Sequence, residues 1–301
     1  MSTEHARQRE FGWMEALSIL LAMIGVQLSS EIFAMWGMLF YSPPGGTGRT
    51  IYVAVGLVWI IFVAGRVFDA ITDPLIGSWS DNTATKASWW RLVRIDGRRR
   101  PFIFWGAIAM TFTAIAFWFP PVRGESIANL LYATVVVCLH WLFFTICVVP
   151  LNSLAPEIAR SRQGRVRLGQ WVAVGMILGL AIANIVPPIL IVKLDPERQR
   201  QVEALHAARA AAATAASPSE AETSDAEEVH ETFSSKGYQR TAAVFAGVSL
   251  VLFLLPVVFV RERYKSDPRR PKTPPFKEML EALKNKVFLR YLAAFFLFMV
   301  G

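Results

Sequence analysis

Three charged side chains, Arg66, Asp69 and Asp73, lie in the first part of the stretch GRVFDAITDPLIGSWSD at residues 65–81, within an apolar block that ends before Asp81. A charged side chain at mid-membrane costs about 2.5 to 3.5 kcal/mol on insertion scales, so it rarely occurs without a partner or a function. At about 100° per residue, Arg66 and Asp73 lie about 20° apart around a helix, and Asp69 lies within about 60° of both. The three side chains therefore share one face, which must look into the protein or a water-filled cavity.

Pro74 adds an oxygen ligand to this face. Proline has no N–H, so the carbonyl of Ala70 loses its usual helical hydrogen bond. Two carboxylates and a free carbonyl suit a hard cation such as Na⁺, and the same carboxylates can instead carry a proton. The alternative is structural: Arg66 neutralises one aspartate in a buried ion pair. That alternative leaves the second carboxylate unexplained.

The elements that must position these residues are membrane helices. Of the 301 residues, 54% are hydrophobic and 18% are charged, and a helix needs about 20 apolar residues to cross a bilayer. Six such blocks occur, at 14–40, 52–78, 102–120, 127–150, 169–192 and 241–260. A seventh begins near Val287 and is incomplete at Gly301. The pattern predicts an all-α membrane protein and a chain that is a fragment.

The distribution of basic residues predicts the topology. With the N-terminus on the cytoplasmic side, the inner segments hold more than twice as many Lys and Arg residues as the outer segments. This bias satisfies the positive-inside rule, so the net charge of +8 requires no nucleic acid partner. Cys138 and Cys147 lie nine positions apart inside the fourth block, without the spacing of metal ligands, and are interpreted as packing residues.

The chain divides into three parts on this topology. Residues 1–260 form an N-terminal six-helix bundle, in which the loop 194–240 is external, alanine-rich and helix-favouring at first and then acidic and solvated. Residues 261–286 form a basic cytoplasmic linker with some attraction to anionic membrane lipid. Residues 287–301 begin a C-terminal bundle.

Two segments carry a family resemblance. RVFDAITDPLIGSWSD (66–81), followed by GRRRPFI (97–103), and VPLNSLAPEIA (149–159) resemble the glycoside-pentoside-hexuronide:cation symporters of the major facilitator superfamily, the melibiose permease family. The resemblance implies a transporter of two six-helix halves, of which this chain holds the first half and lacks the C-terminal one. It also implies that Asp69, Asp73 and Thr145 bind the coupling cation, with the two aspartates as the metal ligands if that cation is Na⁺.

Several positions depart from the melibiose permease. Val148 stands where that protein has an aspartate, and Asn152 stands where it has an aromatic residue. Its arginine early in helix five falls at Gln170 or Trp171. The set of sugar-contacting residues is thus depleted, so the resemblance supports cation coupling more strongly than a sugar substrate.

Other polar residues of the spans are candidates for the solute site. Glu31 lies within one turn of Gln27 in the first span, and its carboxylate needs an interior partner such as Arg66. The full set of substrate or ion-pair candidates is Arg66, Glu31, Gln27, Asn152 and Gln170. His140 is expected to be a packing residue. Trp141 could stack on the apolar face of a sugar, but like other tryptophans near span ends it is interpreted as an interface anchor.

A second cluster resembles the cytoplasmic latch of the superfamily, which steadies one conformation. Its residues are Gly77, Asp81, Gly97, Arg98 and Arg99. Gly77 is expected to permit close helix approach, and Asp81 is expected to pair with Arg98 or Arg99.

Together these features predict a symporter of the cytoplasmic (inner) membrane that couples Na⁺ or H⁺ to uptake of a small solute, a sugar or glycoside, by alternating access. No enzymatic activity and no cofactor beyond the coupling ion are expected. The alternatives are a lipid or lysolipid carrier of the same family, a non-transporting half-protein, and an intramembrane aspartyl protease. The protease needs carboxylates facing each other across two helices, whereas Asp69 and Asp73 lie four apart on one.

Overall fold

The computed structural model describes residues 11–45, 49–83, 95, 97–159, 161–215, 235–260, 262, 284–287 and 289–290. The elements in these ranges are helical. They are α1 (Trp13–Glu31), a π-helical segment (Ile32–Gly37), α2 (Met38–Tyr41), α3 (Val58–Asn82), α4 (Arg100–Ala116), α5 (Ile127–Ile158), α6 (Arg162–Lys193), α7 (Pro196–Ala215) and α8 (Ser235–Phe259).

These helices confirm the all-α membrane fold. The continuous helix Trp13–Tyr41 and helices α5, α6 and α8 are long and apolar enough to cross a membrane, and α4 is a shorter apolar helix. The charged face falls on α3, which has 25 residues. Helix α7 occupies the alanine-rich part of the long loop, where the composition favours helix. Its acidic part, most of the linker and nearly all of the expected seventh span lie outside the described residues.

Helix α5 is the centre of the packing around the charged face. Helices α3 and α4 both pack against α5, while α1 packs against α6 and α8, and α8 also packs against α4. Glycine permits the closest of these approaches, as is common between membrane helices. A Cβ at Gly106 on α4 would lie 2.8 Å from the backbone nitrogen of Cys147 on α5.

Helices α3 and α5 run side by side with matched register. A Cβ at Gly65 would lie 2.5 Å from Cγ1 of Val137 and 2.8 Å from Cδ1 of Trp141, so the α3 backbone lies directly on the α5 side chains there. Three turns further along, a Cβ at Gly77 would lie 3.7 Å from Cγ1 of Val149, an ordinary contact. The expectation that Gly77 permits close helix approach was therefore wrong, because at this level the two helices leave room for a methyl group.

Asn129 aligns the starts of these two helices. Its side chain is fully buried at the beginning of α5, and Nδ2 lies 3.2 Å from the carbonyl oxygen of Tyr52, just before α3, and 2.8 Å from that of Gly124. Its Oδ1 accepts a hydrogen bond of 3.0 Å from the backbone N–H of Val122. A buried amide that is satisfied on both sides fixes the loops at this end and hence the register.

Candidate functional site

Thr145 on α5 joins the two aspartates of α3. Its Oγ1 lies 2.8 Å from Oδ1 of Asp69 and 3.0 Å from Oδ1 of Asp73. The threonine is buried, while Asp69 is half-buried and Asp73 is exposed. The matched register explains the contact, because the aspartates are one turn apart and both face the same residue of α5.

The two contacts of Thr145 cannot both be hydrogen bonds to ionised carboxylates. A hydroxyl group has one hydrogen to donate. If Asp69 and Asp73 are both charged, Thr145 can donate its hydrogen to only one of them. The other carboxylate oxygen then faces the hydroxyl oxygen with no hydrogen between the two atoms. A proton on either carboxyl group supplies that hydrogen, and a cation between the oxygens removes their repulsion. The arrangement of three oxygen atoms is therefore suited to holding one positive charge.

Arg66 does not pair with either aspartate or with Glu31. Among the described residues, the ion pairs within 4.0 Å leave Arg66 out. Its guanidinium carbon lies 4.1 Å from the ring centroid of Trp141 instead. The alternative of a close ion pair between Arg66 and an aspartate, and the suggested partnership of Arg66 with Glu31, are therefore not formed within 4.0 Å among the described residues. The physical reason is that Thr145 draws the Asp69 carboxylate toward α5, while the indole of Trp141 offers the guanidinium a face.

The other solute-site candidates lie apart from the aspartates. Gln27 and Glu31 are partly buried on α1, where the Cβ of Gln27 faces Gly179 of α6. Asn152 and Gln170 are exposed on α5 and α6. In the described part of the chain, no hydrogen bond or ion pair joins these four residues to Asp69 or Asp73. Their roles in solute binding stay predictions.

His140 lies in a packed position, as expected from the sequence. It is fully buried, and its ring stacks on Phe33 with 3.9 Å between centroids. Its Nδ1 lies 3.4 Å from Oγ1 of Thr113. Cys147 is also buried, and both it and Cys138 are free thiols.

The latch residues form a compact charged group at the far end of α3. We call Asp81, Arg98, Arg99 and Glu157 the latch cluster. The Nη2 atom of Arg99 lies 2.7 Å from Oδ1 of Asp81 and 3.0 Å from Oε1 of Glu157. The Nη2 atom of Arg98 lies 2.9 Å from the same Glu157 oxygen and 3.7 Å from Oδ1 of Asp81. The cluster thus links the end of α3 and the end of α5 to the segment that precedes α4.

Glu262 closes the latch cluster from the end of α8. Its carboxylate accepts hydrogen bonds from the backbone N–H groups of Arg98, Arg99 and Arg100, at 2.5, 2.7 and 2.8 Å. An anion at the start of a helix satisfies otherwise unpaired N–H groups and complements the helix dipole. Gly97 has φ +135°, and a Cβ there would lie 2.5 Å from the Glu262 carboxylate, so this position requires glycine.

The sequence alone did not reveal Glu157 and Glu262 as site residues, nor Trp141 as the contact of Arg66. Glu157 lies inside the segment VPLNSLAPEIA (149–159). An acidic residue at the end of a span could have indicated a partner for the nearby arginines. Glu262 is the first acidic residue after the sixth block. Trp141 was interpreted as an interface anchor, which was wrong, because its ring is buried between α5 and α3 and carries Arg66.

A comparison with protein families gives a match over nearly the whole chain. The family model described as MFS/sugar transport protein matches residues 18–301. The chain is also similar to the inner membrane symporter YicJ of Escherichia coli, with 25% identity over 137 residues, which is 46% of this chain and 26% of the relative.

Two further relatives differ in what their names say they carry. The sodium-dependent lysophosphatidylcholine symporter 1 of Xenopus tropicalis is 31% identical over 106 residues, which is 35% of this chain and 18% of the relative. The glucuronide carrier protein homolog of Escherichia coli is 24% identical over 189 residues, which is 60% of this chain and 38% of the relative. The matches therefore span well under half the length of these relatives.

Proposed function

The chain belongs to the MFS/sugar transport protein family, and on this basis we propose that it is a secondary active symporter that couples a cation to the uptake of a small solute. Na⁺ and H⁺ are the two candidate cations, and a sugar or glycoside is the first candidate solute. The proposed transport changes no chemical bond and uses no cofactor besides the coupling ion. Its place is the cytoplasmic (inner) membrane, with the N-terminus on the cytoplasmic side.

The contact of Thr145 with both aspartates carries this proposal. Asp69 and Asp73 lie on α3, which packs against the membrane-spanning candidate α5. Their three-oxygen arrangement with Thr145 needs one proton or cation to be free of repulsion. Such a site is charged when empty and partly neutralised when filled. A site with these two states is what coupling of an ion gradient to transport requires.

We propose that filling the site favours the conformation that moves the solute. The ion neutralises the carboxylates and draws α3 toward α5, which tightens the lining of the cavity. Rocking of the two bundles then exposes the cavity on the other side of the membrane. The latch cluster steadies one end state, because Arg98 and Arg99 hold the ends of α3 and α5 together. This mechanism needs a second bundle, the C-terminal half.

A lysolipid is the second candidate solute. The relative with 31% identity is named as a sodium-dependent lysophosphatidylcholine symporter, and Val148 and Asn152 stand at sugar-contacting positions of the melibiose permease. The aspartyl protease has less support, since both carboxylates contact one threonine from a single helix. A half-protein without transport activity is the remaining alternative.

The test is uptake by vesicles that contain the protein expressed from its complete reading frame. Radiolabelled glycosides and lysolipids are offered with an inward Na⁺ gradient, with an inward H⁺ gradient and with no gradient. We expect accumulation of a solute only with one of the two gradients. Accumulation that ignores both gradients would contradict symport, and the lack of any uptake would favour the half-protein.

A further inference from the structure

A groove of about 870 Å³ lies between α3 and α4, next to the latch cluster. Helices α3 and α4 both pack against α5, so these two helices form the walls of the groove and α5 forms its floor. Its volume falls within the range of about 300 to 1,000 Å³ that is usual for ligand sites. The described residues that line it do not include Asp69, Asp73 or Thr145, so the groove is separate from the proposed cation site.

The walls and the floor of this α3–α4 groove are largely apolar. Trp79 of α3 and Phe102 of α4 meet edge to face, with 5.2 Å between ring centroids, and Phe143 and Ile146 of α5 line the floor. Trp79 and Trp105 keep 59% and 45% of their surface exposed. A hydrocarbon chain in the groove contacts three helices at once, whereas a chain on a convex helix surface contacts one. The groove therefore holds a chain by many more dispersion contacts than the rest of the lipid-facing surface does.

One end of the groove is polar and the other end is apolar. Asn82 is the last residue of α3, Thr83 follows it and Arg98 precedes α4, and all three line the groove beside the latch cluster. At the opposite end the lining residues are Ala109 and Phe143. The polarity thus changes along the helix axes, which matches an amphiphile that has a polar head and a hydrocarbon chain.

The length of the groove fits one leaflet of a bilayer. Pro101 and Ala109 line it on α4, and eight residues of an α-helix span about 12 Å. Half of a hydrocarbon core about 30 Å thick is about 15 Å. The polar end lies where α3 ends and α4 begins, on the predicted cytoplasmic side. The groove therefore covers the depth of the inner leaflet.

We propose that the α3–α4 groove binds one phospholipid of the inner leaflet, with an acyl chain along the groove and the headgroup at its polar end. The amide of Asn82, the hydroxyl of Thr83 and the positive charge of Arg98 suit the phosphate of the headgroup. This lipid is a bound structural ligand and not the transported solute. The inference goes beyond the proposed function, and it holds for this fold whichever solute is carried.

Residues 84–94 are the competing occupant, because they join Thr83 to Ile95, two residues that line the groove. This segment carries Trp89 and Trp90, whose apolar rings suit the same surface. The polar end and the length of the groove favour the lipid, since two adjacent aromatic side chains require neither feature.

Native mass spectrometry of the purified, delipidated full-length protein tests the assignment. The probes are phosphatidylglycerol and phosphatidylethanolamine, added to the detergent micelles in increasing amounts. We expect one molecule of at least one of the two to bind well before any further molecule. Ala109→Phe, which fills the groove, is expected to weaken this first binding at least about tenfold. Ala243→Phe, at an exposed position of α8, is the matched control and is expected to bind like the parent protein.

A second measurement locates the lipid without any substitution. Phosphatidylglycerol and phosphatidylethanolamine with a photoreactive group in the acyl chain are incorporated into vesicles with the parent protein, and the labelled peptides are identified after digestion. We expect preferential labelling within residues 101–109 and 143–146. Labelling spread evenly over the lipid-facing helices, or an equal affinity of Ala109→Phe and the parent protein for the first lipid, would overturn the assignment. A first binding that occurs only after Trp89→Ala and Trp90→Ala are combined would also overturn it, in favour of the segment 84–94.

Discussion

The hydroxyl group of Thr145 lies 2.8 Å from a carboxylate oxygen of Asp69, across the interface of α3 and α5. The same hydroxyl lies 3.0 Å from Oδ1 of Asp73, so one residue of α5 contacts the carboxylates of both aspartates. Four residues earlier on α5, Trp141 supports Arg66. A single face of α5 thus contacts the charged side chains of α3, the two aspartates through Thr145 and Arg66 through Trp141.

Thr145→Val should weaken cation binding because it removes the hydroxyl and keeps the shape. A hydrogen bond to a charged group contributes about 1.5 to 3 kcal/mol, so the half-saturating cation concentration should rise about tenfold or more. Thr145→Ser, which keeps the hydroxyl, is the matched control and should stay close to the parent protein. Cation titration of solute uptake measures both. An unchanged half-saturating concentration in the valine variant would remove Thr145 from the site.

Gly65→Ala should weaken the proposed cation site, although Gly65 itself is not one of its residues. The added Cβ would overlap Val137 and Trp141, and such overpacking costs about 1 to 3 kcal/mol. We expect a lower melting temperature and weaker cation binding, because α3 moves away from Thr145. Gly247→Ala on α8, where a Cβ meets nothing within 4 Å, should change neither quantity. Equal behaviour of the two variants would contradict the close approach of α3 and α5.

Gly97→Ala and Gly77→Ala should differ although both glycines belong to the same sequence pattern. At Gly97 the positive φ strains any other residue, and the added Cβ would push Glu262 from the start of α4. At Gly77 an alanine fits and favours the helix. A thermal melt in detergent should show a marked loss for Gly97→Ala and little change or a small gain for Gly77→Ala. The reverse order would contradict the described geometry.

Glu157→Gln should destabilise the protein more than Asp81→Asn. The Glu157 side chain is 17% exposed and that of Asp81 is 56% exposed, while both arginines are buried. Neutralising the more buried carboxylate takes a close partner from both buried arginines at once, at a cost of up to about 3 to 5 kcal/mol, whereas an exposed carboxylate contributes about 0 to 1 kcal/mol. The free energy of unfolding measures the difference. An equal loss of unfolding free energy in both variants would contradict this prediction, since Asp81 would then stabilise the latch cluster as much as Glu157 does.

The sequence was sufficient to predict the helices and to place Arg66, Asp69 and Asp73 on one face of α3. Long apolar blocks leave few alternatives to membrane helices, and residues spaced by four, such as Asp69 and Asp73, lie on the same face of any helix. The joint contact with Thr145 had to come from the resemblance, because no local pattern tells which helix faces α3. The described geometry brings these three residues together, while their role in cation binding stays a prediction.

The errors of the sequence analysis concern contacts between distant segments. A close ion pair of Arg66 with an aspartate was the structural alternative to a cation site, but the register of α5 places the guanidinium on the indole of Trp141. Gly77 was expected to allow close packing, but the helices approach most closely at Gly65. Glu262 accepts hydrogen bonds from backbone N–H groups. Every residue except proline has such a group, so the types of the residues do not predict this contact.

Uptake by the Asp69→Asn and Asp73→Asn variants tests the central claim most directly. Asparagine keeps the shape of each side chain and removes its charge, while Glu125→Gln, which neutralises an exposed carboxylate in the loop before α5, serves as the control. With the protein expressed from its complete reading frame, we predict that both site variants lose gradient-driven accumulation and that the control retains cation dependence. Accumulation driven by a Na⁺ or H⁺ gradient at the parent rate in both site variants would contradict cation coupling through Asp69 and Asp73.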